Sequence, residues 1–79
     1  MIGKVTHFYP KVGVATIVLD VHLEHGNRIH THGHSEDFHQ TVTSMEMEHV
    51  PSTEADPGQD IGGRVGQRVH VGDVVYREI

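Results

Sequence analysis

The sequence predicts an all-β domain, a small closed barrel of six antiparallel strands, on three observations. Short runs rich in β-branched and aromatic residues recur along the chain, Gly, Pro, Asn and Asp punctuate them, and no convincing amphipathic helix appears. Closure follows because a sheet with no helix to cover it leaves its edges open unless the last strand meets the first. At 79 residues the chain holds one domain, residues 1–79, and buries only about 60% of its unfolded surface.

The elements are expected in this order. Residues 2–19 form a hairpin: IGKVTHFY and VATIVL favour strands, Pro10 opens the turn with its fixed φ, and Gly13 closes it. VATIVL is almost continuously apolar, which suits a strand covered on both faces. Gly26-Asn27 makes a tight turn, both residues tolerating positive φ, and a third strand begins near Arg28. In QTVTSMEMEHV, Met45 and Met47 alternate with Glu46 and Glu48, a half-buried strand in which Val42 is out of step, so a β-bulge is expected there. PSTEADPGQD is a turn-rich connector. Two short strands follow, separated by a turn at Gly72-Asp73. Leu23–Ile29 and Val69–Val75 echo each other around Gly26-Asn27 and Gly72-Asp73, which predicts equivalent corners.

The runs GKVTHFYPKVGVATIVL, LEHGNRI, GHSEDFHQTVTSMEMEHVP, ADPGQDIG and VHVGDVVY, in that order, resemble the second, β-barrel domain of translational GTPases of the elongation factor Tu type. They are more similar to small translation elongation factor-like proteins and to the C-terminal barrel of collagenase-like peptidases. The resemblance spans about Gly3 to Tyr76 and implies a closed six-stranded barrel of the translation-protein type. It also implies a non-catalytic, stand-alone binding module, translation-related, whose partner is RNA, a ribosomal component or another protein. An accessory barrel of a separate peptidase is the alternative. The family corner usually reads Gly-Asp where this chain has Gly26-Asn27.

Composition narrows the chemistry. Cysteine is absent, so neither disulfides nor thiolate metal sites occur, and a reducing compartment is compatible. Lys4, His7, Pro10, Lys11 and Gly13 interrupt any signal-like apolar run near the N-terminus, so the protein is expected in the cytoplasm. A net charge of −5 disfavours non-specific nucleic-acid binding, although protonating all nine histidines would reverse its sign, which makes a pH-responsive role an alternative. There is no phosphate-binding GxxxxGK[ST] loop and no nucleophile elbow, so no catalytic residue is assigned.

The densest functional candidate is RIHTHGHSEDFH. On a strand His30, His32 and His34 share one face, a candidate set for zinc or another divalent metal, with Asp37 or His39 folding back to complete it. The competing reading is a solvated outer strand ended by Gly33. The resemblance expects a histidine at His34. Glu46-Met-Glu-His49 has the spacing of a di-iron helix, but on a strand its ends face opposite ways. Arg64 and Arg68 are candidate contacts for RNA or a partner, against a default of ion pairing with the eleven acids.

Overall fold

A computed structural model describes residues 1–78. Ten strands follow in chain order: β1 Gly3–Tyr9, β2 Val14–Leu19, β3 Leu23–Glu24, β4 Arg28–His32, β5 Asp37–Thr41, β6 Glu46–Met47, β7 Val50–Pro51, β8 Glu54–Ala55, β9 Asp60–Arg64 and β10 Val74–Arg77. Eight of them form one curled antiparallel sheet in the order β5-β4-β10-β1-β2-β9-β6-β7, and β3 pairs with β8 as a separate ribbon. Among the described residues no helix is long and apolar enough to cross a membrane.

The all-β expectation holds, but closure into six strands does not. The edge strands are β5 and β7, and β5 forms no ladder with β9 because the chain leaves β5 at Thr41 and turns inward. Val42 donates its N–H to the Asn27 carbonyl and accepts from Gly26, so its backbone is committed to a corner and no ladder extends β5 toward β9. Val42 and Met45 instead plug the core, and Met47 is only half-buried. The expected bulged strand through Met45 is therefore a two-residue β6 preceded by an irregular crossing. Gly63 permits it, since a Cβ there would lie 3.3 Å from the Ser44 carbonyl oxygen.

Side chains span the gap. The Gln40 amide donates to the Arg64 carbonyl at 2.9 Å and accepts from the Gly66 N–H at 3.0 Å, while Ser44 Oγ accepts from the Arg64 N–H at 3.2 Å. The wall is completed by an amide standing where strand pairing would be.

The N-terminal hairpin forms as expected, with Gly13 at φ 67° and its N–H on the Tyr9 carbonyl. In β2, Ala15, Ile17 and Leu19 are buried and the residues between them only half-buried, so the continuous apolar run reflects one core face and one partly covered face. A register shift between Val5 and His7 adds a bulge in β1.

Three corners share one construction. At Glu24-His25-Gly26-Asn27, Asp56-Pro57-Gly58-Gln59 and His70-Val71-Gly72-Asp73, glycine holds the third position at φ 93°, 88° and 95°, the geometry of a type II turn. In each, the fourth residue donates its N–H to the carbonyl of the first, and its side chain accepts the first residue's N–H. Each glycine N–H then reaches a distant carbonyl, of Val42, Leu19 or Val5, and that residue's N–H bonds back to the carbonyl of the corner's fourth residue. Buried apolar residues stand three before and three after every corner glycine: Leu23 and Ile29, Ala55 and Ile61, Val69 and Val75. Asn27 needs no positive φ, because its side chain serves as the acceptor.

Glu48 and His49 have φ of 50° and 66° and join the paired Met47 and Val50. Two central residues in the left-handed region make a type I′ hairpin, normally the place of Asn-Gly. The sequence carries no such signal, and the Glu46–His49 spacing is that of a hairpin.

Candidate functional site

Two clusters of ligand-type side chains arise around β4, β5 and the Gly72 corner. The first lies on the outer face of β4 and β5. Ile29, Thr31 and Phe38 point into the core, which sends His30, His32, Asp37 and His39 outward. The register pairs His30 with His39 and His32 with Asp37, a two-by-two array. The rings of His30 and His39 stack at 4.2 Å with an 8° interplanar angle, and Asp37 accepts from His30 Nε2 at 2.5 Å. That bond, foremost, holds the Asp37 carboxyl below the usual aspartate range. His39 Nδ1 pairs with Glu78, which also takes Arg28 Nε at 3.1 Å. One donor atom each from His30, Asp37 and His39 falls within 4.8 Å of the others.

His32 lies beside this group, its ring 6.0 Å from that of His30. His34 does not join it. The strand ends at His32, Gly33 turns the chain by donating to the Glu36 carbonyl, and His34 lines the neighbouring pocket instead. The expected His30, His32 and His34 face is thus broken at Gly33, and the cross-strand residue His39 takes the place nearest His30. Sequence alternation finds residues on one strand; the partner on the next depends on register.

The second cluster joins two buried carboxyl groups to an exposed histidine, His70. Glu36 and Asp73 are 7% and 4% exposed and hydrogen-bond to each other. Ser35 Oγ donates to Glu36, His70 Nδ1 lies 2.8 Å from Glu36 Oε1, and the His70 N–H donates to Asp73 at 3.0 Å. The bond from Asp73 is the main cause that lowers the Glu36 carboxyl to about 2, while burial raises Asp73. By these directions, a single proton shared by the pair sits on Asp73 rather than on Glu36. Asn27 and Gln59 fill the equivalent acceptor position at the other corners with neutral amides. Sequence inspection missed this pair because Glu36 and Asp73 come from separate turns.

Away from both clusters, His22 is held by Asp56 at 3.0 Å with Glu24 and Glu54 nearby; the bond to Asp56 chiefly raises its pKa. Serines form no nucleophile–histidine pair among the described residues: Ser35 donates to Glu36, Ser52 to the Glu54 carbonyl, and Ser44 accepts from Arg64.

Arg64 and Arg68 part company. Arg64 lines an open groove of about 1100 Å³ bordered by Tyr9, Val12, Val14, Glu46, Met47, Glu48, His49, Asp60, Ile61 and Gly62. Arg68 lies over the Phe8 ring at 5.8 Å, a cation–π contact.

No protein-family model matches the chain, and neither does any curated protein. Among solved structures, the C-terminal domain of a Geobacillus thermoleovorans protein described as a U32 peptidase superposes with a TM-score of 0.94 at 22% identity. The match covers 100% of this chain and 92% of that one. The selenomethionine variant of that domain gives 0.91 at 22% identity, over 98% and 96% of the two chains. These matches support the collagenase-like peptidase side of the resemblance and lend nothing to its translation-factor side. The chain has the fold of the C-terminal domain of that U32 peptidase.

Proposed function

We propose that the chain is a non-catalytic accessory domain, a protein-binding module that works with a peptidase whose catalytic machinery lies elsewhere. The observation that carries this reading is the whole-length fold match to a domain that sits at the C-terminus of a protein described as a U32 peptidase. The disposition of the serines agrees with it, since their hydroxyls are engaged in structural hydrogen bonds.

The groove beside β2 and β9 is the docking face in this reading. Val12 is 57% exposed and Tyr9 48%, giving an apolar contact, while Arg64 and the surrounding carboxylates supply polar selectivity. The compartment assumed is the cytoplasm, in keeping with a chain that has no cysteine.

The test is affinity capture from native lysate with nuclease-treated and untreated arms, comparing wild type with a Val12→Asp, Arg64→Glu double variant. Recovery of a peptidase by wild type and its loss with the variant is the expected result. Recovery of tRNA or ribosomal material that nuclease removes would replace this reading with the translational one.

A further inference from the structure

We propose that His30, Asp37 and His39 form a binding site for a divalent transition-metal ion of the zinc class on the outer face of β4 and β5. The inference is independent of the docking groove, which lies on other strands. Two imidazoles and a carboxylate suit zinc, cobalt or nickel better than calcium or magnesium, which take oxygen donors almost exclusively.

The positions come from the sheet itself. His30 and His39 are direct cross-strand partners, and Asp37 lies two residues before His39 on the same face. The three donor atoms already lie within 4.8 Å. Tetrahedral zinc with bonds of about 2.0–2.1 Å needs them about 3.4 Å apart, a shift of roughly 1 Å. The side chains of His39 and Asp37 are 46% and 65% exposed, so rotamer adjustment supplies it without moving backbone.

A supporting shell is present as well. Glu78 engages His39 Nδ1, which leaves Nε2 as the ring nitrogen to ligate, and Arg28 anchors Glu78 in turn. A carboxylate behind a ligating imidazole fixes its tautomer and raises its basicity. The ion would replace the proton between His30 and Asp37, and solvent would complete its coordination. The group of buried Glu36 and Asp73 with exposed His70 is a weaker candidate, because its carboxyl groups already satisfy each other.

The test is titration of the full chain with Zn²⁺ by calorimetry and with Co²⁺ by visible absorption, each variant first checked for its β-sheet circular dichroism. One saturable equivalent is expected. His39→Ala, His30→Gln and Asp37→Asn should each weaken it by at least about tenfold. His34→Ala and His25→Ala should leave it within about twofold. Absence of a saturable equivalent would overturn the proposal, as would equal loss from the two control variants. If His39→Ala binds like wild type while remaining folded, the assignment also fails.

Discussion

A Cβ built on Gly33 would lie 1.9 Å from Asp73 Oδ1, so the turn after β4 is packed directly on the carboxyl of the Gly72 corner. The contact is with a side chain fixed by Glu36 and by the His70 N–H, which cannot swing aside without breaking both bonds. Gly33→Ala should therefore destabilise the fold by about 1–3 kcal/mol, the usual cost of overpacking. Urea unfolding would measure it; an unchanged midpoint would mean that Asp73 is free to move.

Asp73→Asn should leave the corner intact while changing its response to pH. The amide oxygen accepts the His70 N–H and the NH₂ donates to Glu36, copying the protonated acid much as Asn27 serves its own corner. Asp73 is raised, so its contribution is present at acid pH and lost as pH rises through its folded pKa. Glu36 is lowered to about 2, so its contribution is present above the ordinary glutamate value and lost as pH falls toward 2. Stability of the wild type should fall on both sides of a mildly acidic maximum, and the variant should lose the decline on the alkaline side alone. Urea midpoints from about pH 3 to pH 8 would check this.

Replacing Glu48-His49 with Asn-Gly should stabilise the β6–β7 hairpin. Both residues sit at positive φ, a conformation that costs ordinary L-residues roughly 1–2 kcal/mol each. A gain of about 1 kcal/mol in unfolding free energy is expected. No gain in thermal or urea unfolding would show that the turn is not strained.

Gln40→Leu should unfasten the seam between β5 and β9. It removes two hydrogen bonds, each contributing about 0.5–1.5 kcal/mol net, and leaves the Gly66 N–H without its side-chain acceptor. Faster amide exchange at Gly66, with exchange in the β1–β2 ladder unchanged, is the expected pattern. Uniformly faster exchange would show that the seam is not a separate unit.

What was legible in the sequence follows physical range. Gly13, Gly26 and Gly72 announce their turns because positive φ has a local residue signature. The corner at Gly58 reads only as part of a turn-rich connector, since Gln59 does by a longer side chain what Asn27 and Asp73 do by shorter ones. Sequence reading brings Asp37 or His39 back toward His30, but the direct His30–His39 pairing and the place of Glu78 depend on register, which is decided by the whole sheet rather than by neighbours in sequence. The missing closure was hidden for the same reason: Val42 reads as one more strand residue until its N–H and carbonyl are seen to serve Asn27 and Gly26.

The Gln40 bridge gives the wall a mechanical character that a ring of paired strands would lack. In a continuous hoop every strand is held on both sides, and load is shared around the circumference. Here β5 is laddered only to β4, and its other flank hangs on the Gln40 side chain. Under tension across that joint the sheet would part like a clasp, one side chain yielding before any backbone rung is strained.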